Sequence, residues 1–154
     1  MMKKLMKKFK NERGLTLVEL LAVIVILAII GTIAFVMIGK VTENAKKDTH
    51  VANAQQLIAS AKLYDSTVKP LSEQDNKVDG QDLYKEELID ILIDPWIKEP
   101  YDEPQGTVTV KDGVYSVTLN PNSDGGDCKI EDKDEKDLIK DGRKICDGSD
   151  GEDS

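Results

Sequence analysis

The chain has 154 residues, which leaves room for one modest domain plus an additional element and excludes a large multidomain enzyme. It carries 21 Lys and Arg residues against 29 Asp and Glu residues, and its formal net charge is −8. A chain this acidic is not expected to hold nucleic acid through bulk positive charge.

The charge is distributed unevenly along the chain. Residues 1–14 have a net charge of +5 out of the total of −8, which leaves −13 for residues 15–154. Residues 20–39 include no charged side chain. A helix of this length spans about 30 Å, the thickness of the hydrocarbon core of a bilayer. Because basic flanks of a membrane span stay in the cytoplasm, the sequence predicts a single-pass protein with a cytoplasmic N-terminus and an extracellular acidic body.

Two ordinary kinds of segment share this hydropathy. A cleaved secretory signal peptide also has a basic start, but its apolar run covers roughly 7–15 residues and ends at a small-residue cleavage site. Here the apolar run continues through residues 33–38 without such a site, which disfavours a signal peptide. An uncleaved signal anchor accounts for the hydropathy equally well and stays open as an alternative.

Glu19 lies at the start of the apolar run. A carboxylate drawn into a bilayer is costly unless it is paired, so its position indicates that a cation binds it. The surrounding sequence has a short basic leader ending at Gly14, an apolar segment directly after it, and Glu at the fifth position beyond the glycine. This pattern resembles the class III leader of type IV prepilins and pseudopilins.

The resemblance implies how the leader is processed. A prepilin peptidase would cut between Gly14 and Leu15 on the cytoplasmic side and methylate the new terminal amine. The amine of Leu15 would then supply the cation for Glu19, in a neighbouring subunit of a filament. Leu15 stands where the family most often has Phe, and the proline that many type IV pilins carry within the apolar helix is absent here.

The helix is expected to continue to about residue 66, because residues 40–66 lack proline and are rich in helix-forming side chains. Its apolar side chains gather in two stripes. The first stripe consists of Val51, Ala54, Leu57, Ile58, Ala61 and Tyr64, and the second of Val41, Ala45, Ala52, Ala59 and Leu63. Either a head domain covers one stripe while the other contacts neighbouring molecules, or one domain buries both.

A head domain is predicted to follow a break at Lys69–Pro70. The polar stretch that ends at Gly80 is predicted to be a loop, and residues 82–93 to form a short helix. Alternating β-branched residues at 107–110 and 114–119 predict an antiparallel hairpin. The fold class is therefore α+β, with a long N-terminal helix, first transmembrane and then an amphipathic spine, packed on a small antiparallel β-sheet in the layout that pilins have.

The resulting prediction divides the chain into five parts. They are a cleaved basic leader at 1–14, a transmembrane or filament-core helix at 15–39, an amphipathic continuation of the helix at 40–66, a globular head with a C-terminal disulfide loop at 67–146, and a disordered acidic tail at 147–154.

The only two cysteines, Cys128 and Cys146, lie in the part predicted to be exported. An even number of cysteines outside the membrane favours a disulfide over free thiols or a metal-bound pair. Closing a loop of this length is worth about 3 kcal/mol of chain entropy. Members of the resembled family also usually clamp their C-terminal loop, and the charged segment between the two cysteines has little apolar surface to bury.

Residues 120–131 approach the pattern of an EF-hand calcium loop, with oxygen-bearing side chains at alternating positions, Gly at the sixth and Glu at the twelfth. The candidate ligands are Asn120, Asn122, Asp124 and Glu131. Asn stands at the first position, where the pattern requires Asp, and no helix pair brackets the loop. Some secretion pseudopilins bind calcium in a C-terminal loop. The alternative is a solvated acidic turn, and no other cofactor is expected.

No catalytic arrangement is evident in the sequence. The sole histidine, His50, is predicted to be exposed on the helical spine, and no Ser/His/Asp or Cys/His set or glycine-rich phosphate loop is found. Trp96 and Tyr101 are predicted to pack in the core or its loops rather than to stack on a ligand. We therefore expect the protein not to be an enzyme.

Two classes of function remain. The first is a structural subunit, pilin or pseudopilin, of a type IV pilus-like filament. Its partners by resemblance are sister pilins, the prepilin peptidase, an assembly platform protein and, indirectly, an assembly ATPase. The leader and compact head resemble Gram-positive competence-like proteins, and the filament could serve DNA uptake, secretion, or adhesion and motility. The alternative is an uncleaved membrane-anchored extracellular domain that binds a ligand or calcium; Gly14 and Glu19 distinguish the two, because a simple anchor needs neither.

Overall fold

The computed structural model describes residues 2–147, with side chains from residue 16 onward. The predicted acidic tail therefore lies outside the described residues from residue 148 on. The chain divides into two compact units between Thr42 and Glu43. One helix, α1 (Met2–Thr67), crosses this boundary and ends one residue beyond the predicted position.

In the first unit, every side chain from residue 16 to residue 42 is exposed. Within the described residues, α1 is the one helix that is long and apolar enough to cross a membrane. Thr32 donates its hydroxyl hydrogen to the carbonyl of Ala28, so this polar group is satisfied inside the helix. The segment therefore presents an apolar surface all round, which needs an apolar medium or other helices around it.

In the second unit, α1 buries one of its two predicted apolar stripes. All six residues of the first stripe are buried. The second stripe is exposed, with Ala52 and Ala59 open to solvent and Leu63 46% exposed. The alternative in which a single domain buries both stripes is therefore wrong.

The first stripe packs against a four-stranded antiparallel sheet. The strands are β1 (Lys77–Asp79), β2 (Thr107–Lys111), β3 (Val114–Leu119) and β4 (Ile130–Asp134), and they pair in chain order. Inward-facing side chains of the sheet join the helix in one core: Val78, Val108, Val117, Leu119 and Ile130. The predicted hairpin is confirmed as β2 and β3, and the predicted α+β fold class with it.

The hairpin turn consists of Asp112 and Gly113, whose φ angles are 51° and 78°. Both residues therefore have the left-handed conformation that a tight two-residue turn needs. β1 lies within the polar stretch that was predicted to be a loop, so the prediction is wrong for Lys77–Asp79.

The helix predicted over residues 82–93 is wrong for most of its length. The helix α2 covers Gly80–Lys85, and Glu87 takes a left-handed φ of 58°. The chain then continues without helix, burying Ile89 and Leu92 in the same core. A short run of Leu and Ile suits either a helix or an extended segment, and here contacts with the core decide.

The highly charged C-terminal segment folds as β4, the helix α3 (Glu135–Asp141) and a 3₁₀ helix (Gly142–Asp147). The side chain of Asp134 caps α3 by accepting the N–H of Asp137 at 2.8 Å. Each helical piece contributes one buried side chain to the core, Leu138 and Ile145.

Candidate processing and assembly site

The predicted cleavage site lies in the first unit. The backbone is helical through Gly14 and Leu15. Gly14 is the residue with the lowest helix propensity in this stretch, which favours local unwinding at the bond predicted to be cut.

Glu19 lies on the exposed surface of the same helix, at the start of the apolar segment. Among the ion pairs formed by described residues, none includes Glu19. A carboxylate on an apolar helix surface is available to a cation outside this part of the chain, and the uncut chain has no amine at Leu15 to provide it.

In the second unit, a cluster of polar and aromatic groups surrounds His50, which is buried with 0% exposure. The prediction that His50 is exposed is therefore wrong. Its Nδ1 lies 2.6 Å from the hydroxyl of Tyr101, and its Nε2 lies 3.2 Å from the carbonyl oxygen of Leu119. The sequence spacing does indicate burial: His50 precedes Ala54 by four residues and Leu57 by seven, so it lies on the same helix face as the first stripe.

Aromatic side chains complete this cluster. Trp96 packs edge-on against the His50 ring with centroids 5.3 Å apart, and its Nε1 donates to Glu43 at 2.9 Å. Tyr101 is buried and accepts a hydrogen bond from Asn53 Nδ2 at 3.3 Å. The prediction that Trp96 and Tyr101 serve packing is confirmed.

Burial controls protonation in the cluster. It lowers the pKa of His50, opposed by the carbonyl of Leu119, the charge of Asp94 and the main chain of Cys128. It also raises the pKa of Tyr101 above its ordinary value. Both side chains are therefore neutral at neutral pH.

Asp94 organises the loop that was predicted to bind calcium. Its side chain is fully buried, and its two carboxylate oxygens accept the N–H groups of Trp96 and Asn122, both at 2.8 Å. Gly125 and Gly126 let the loop lie close to Asp94 and Trp96. A Cβ at Gly125 would lie 2.8 Å from Asp94 Oδ2, and a Cβ at Gly126 would lie 2.2 Å from the Trp96 ring. A carboxylate of the protein thus holds the loop in place.

One of the candidate calcium ligands, Asn122, makes hydrogen bonds within the protein. Asn122 Oδ1 accepts the N–H of Asp102 at 2.8 Å, and its Nδ2 donates to Pro100, so this side chain is already engaged. No group of three or more His, Cys, Asp or Glu side chains suited to a metal occurs among the residues described. The ligand set with Asn120, Asp124 and Glu131 stays a prediction.

Cys128 and Cys146 form a disulfide in the structure. Cys128 is buried beside the His50 cluster, and Cys146 lies in the last 3₁₀ helix. Two ion pairs attach the same C-terminal segment to α1: Arg143 with Asp48 at 3.1 Å, and Lys47 with Asp147. The disulfide and the two ion pairs hold the charged C-terminal segment against α1.

Comparison with known families finds one match. Residues 9–35 match the family described as the prokaryotic N-terminal methylation motif. No curated protein and no solved structure matches the chain. The motif is the class III signal of type IV pilins, and it includes Gly14, Leu15 and Glu19. The chain therefore carries the N-terminal methylation motif, the class III signal of type IV pilins, on a long apolar helix that continues into an α+β head.

Proposed function

We propose that this protein is a pilin or pseudopilin subunit of a type IV pilus-like filament, cut after Gly14 by a prepilin peptidase and assembled through its N-terminal helix. The observation that carries the proposal is Glu19, which lies within the matched motif, five residues beyond Gly14, on an otherwise apolar helix surface.

The charges explain why cutting would permit assembly. The net charge of +5 on residues 1–14 holds the start of the helix at the cytoplasmic face of the membrane, and the cut would remove it. The cut also creates an amine on Leu15. Among packed apolar helices, an unpaired charge is strongly disfavoured, so pairing this amine with Glu19 of a neighbouring subunit fixes the register between the two helices.

The exposed stripe of the second unit supports subunit packing. It combines three alanines, Ala45, Ala52 and Ala59, with Leu63 on one side of α1. Small side chains let a second helix approach closely, and burying Leu63 gains apolar contact. We assign this surface to contacts between subunits.

The topology follows from the same charges. The basic leader is placed in the cytoplasm and the acidic head outside the cell, where an oxidising environment suits the Cys128–Cys146 disulfide. The protein would then reside first in the cell membrane and later in a surface filament. Its further partners are an assembly platform protein and, indirectly, an assembly ATPase.

For the purpose of the filament we favour DNA uptake in competence or protein secretion. The part of the chain beyond the leader carries a net charge of −13, which disfavours direct contact with DNA phosphates. A role in DNA uptake would therefore be exercised by the assembled filament or by a basic partner subunit.

The test is the intact mass and N-terminal sequence of the protein from its own cells, with membrane and sheared surface fractions analysed separately. We expect a chain that begins at N-methylated Leu15 in the sheared fraction. In the matched variant Gly14→Val, the leader should stay attached, because the peptidase needs a small residue at the cut. Full-length wild-type chain confined to the membranes, with the peptidase active, would contradict the proposal and favour an anchored extracellular domain.

A further inference from the structure

His50 connects three separate parts of the second unit. It lies on α1, and its ring contacts Tyr101, the carbonyl of Leu119 at the end of β3, and the ring of Trp96. His50 itself has 0% exposure, and Tyr101 and Leu119 are buried beside it. The imidazole therefore contacts both the 94–101 loop and the 119–128 segment, and the loop is also joined to α1 by the hydrogen bonds of Asn53 with Tyr101 and of Trp96 with Glu43.

The hydrogen bonds define one protonation state of the ring. The carbonyl of Leu119 can only accept, so Nε2 of His50 carries the hydrogen and donates it. Nδ1 then has no hydrogen and accepts from the hydroxyl of Tyr101. Asn53 Nδ2 donates to the same hydroxyl oxygen at 3.3 Å, which leaves the hydroxyl hydrogen free to point at His50. The network is complete only when the ring is neutral.

Protonation breaks this arrangement. A hydrogen on Nδ1 would face the hydroxyl hydrogen of Tyr101 across 2.6 Å, so the hydroxyl must turn away and find another acceptor. The ring would also carry a buried charge. Burial of a charge without a paired counter-charge is strongly unfavourable, and the opened loops offer water instead.

The charged groups around the ring offset this cost only in part, because burial is the largest influence on the pKa of His50. Asp94 is close enough to favour a positive His50, but both of its oxygens already accept main-chain N–H groups. Glu43 accepts the indole N–H of Trp96. Cys128, whose main chain also faces the ring, is held in a disulfide and does not titrate.

We propose that His50 is an acid-sensitive latch: protonation of its imidazole releases the 94–101 loop and the 119–128 segment from α1, while the rest of the core stays folded. The inference concerns the second unit alone and does not depend on how the N-terminal helix is processed.

The direction of the pH dependence follows from linkage. Burial places the pKa of His50 in the closed state below its ordinary value of 6.5, while an opened loop returns it to that value. The opened state then binds the proton more tightly. As the pH falls below 6.5, the opening equilibrium should rise by up to about tenfold per pH unit until the pKa of the closed state is reached. Above pH 6.5 it should not change.

The experiment uses the full chain in detergent micelles. Amide hydrogen exchange is measured at several values between about pH 7.5 and pH 4.5, corrected for the intrinsic pH dependence of exchange, and the fluorescence of Trp96, the only tryptophan, is followed in parallel. We expect loss of protection in the 94–101 and 119–128 segments with a midpoint below pH 6.5, while residues 54–64 stay protected. The fluorescence should change over the same pH range.

Two variants distinguish the latch from general acid unfolding. His50→Gln can still donate to Leu119 and accept from Tyr101 but does not titrate, so the pH-dependent opening should be lost. Glu99→Gln, an exposed carboxylate in the same loop, should behave as the wild type. Equal opening in wild type and His50→Gln would overturn the proposal, because carboxylates would then be responsible, as would an absence of opening in wild type down to pH 4.5.

A direct titration covers the case in which His50→Gln fails to fold. The chain has a single histidine, so its imidazole gives one assignable set of NMR signals. The latch requires these signals to titrate below pH 6.5, together with the loss of protection. Titration at or above pH 6.5 in the folded wild type would overturn it.

Discussion

Tyr115 on β3 donates its phenolic hydrogen to Asp65 Oδ2 over 2.5 Å, and this hydrogen bond joins the sheet to the end of α1. The other carboxylate oxygen of Asp65 accepts the main-chain N–H of Leu71 at 2.6 Å. Asp65 therefore fixes the direction in which the chain leaves the helix. The hydrogen bond from Tyr115, with a contribution from Leu71, lowers the pKa of Asp65, and the same bond raises the pKa of Tyr115 to about 12.

Tyr115→Phe should lower the free energy of unfolding by about 1 kcal/mol at neutral pH, the net value of one hydrogen bond. Because the pKa of Asp65 in the folded state lies below its ordinary 3.8, this contribution is present above pH 3.8 and is lost as the pH falls through the folded-state pKa. The difference between wild type and variant should therefore shrink in strong acid. Urea unfolding followed by circular dichroism at two pH values checks this, and a difference that is independent of pH would contradict it.

Asp94→Asn should destabilise the second unit by about 1.5–3 kcal/mol, because one oxygen that accepts a main-chain N–H in a fully buried site becomes a donor. Glu99→Gln, which changes an exposed carboxylate nearby, should change stability by less than about 0.5 kcal/mol. Thermal unfolding with calcium and with chelator measures both variants. If Asp94 rather than a cation holds the loop, the wild type should unfold at the same temperature in both buffers.

Removal of the disulfide, through Cys128→Ala with Cys146→Ala, should cost about 3 kcal/mol and expose residues 129–147 to hydrogen exchange. Core amides of α1 should keep their order of protection. Thiol labelling of the unfolded wild-type chain without reductant should find no free cysteine. Complete labelling would show that the two residues stay reduced in the cell.

Glu19→Ala should leave removal of the leader intact and reduce filament yield more than tenfold, because the amine on Leu15 loses its partner in an apolar environment. Glu19→Gln keeps the shape of the side chain but not its charge, and it should fail in the same way. Quantification of sheared filaments beside the processed chain in membranes separates the two steps. Normal filament yield from Glu19→Gln would contradict the pairing of charges.

Ala52→Glu should reduce filament yield more than tenfold, because it places a charge in the exposed stripe assigned to subunit contacts. The thermal stability of the monomer should change little, since Ala52 is exposed. Asn44→Glu adds the same charge about 80° away around the helix and serves as the control. Wild-type yield from Ala52→Glu would exclude this stripe as a subunit contact.

Local patterns in the sequence were sufficient to predict the N-terminal helix, the leader motif and the β-hairpin. The uncharged run at 20–39, the spacing of Gly14 and Glu19, and the alternation around Lys111-Asp112-Gly113 each predict their structure or motif from neighbouring residues alone. These signals are short-range, because helix periodicity, the twofold alternation of a strand and a leader motif are each complete within one segment. Periodicity also identified both stripes of α1 but did not determine which of them the head covers.

Tertiary structure decided what depends on contacts between distant segments. The helical pattern over 82–93 gives way after Lys85 because Ile89 and Leu92 gain more by entering the core than by continuing a helix. His50 is a polar residue on a helix, and only the approach of Tyr101 and Leu119, 51 and 69 residues away along the chain, provides the partners that let it be buried. Burial of a polar group depends on whether its hydrogen bonds can be satisfied, and those partners are set by the fold.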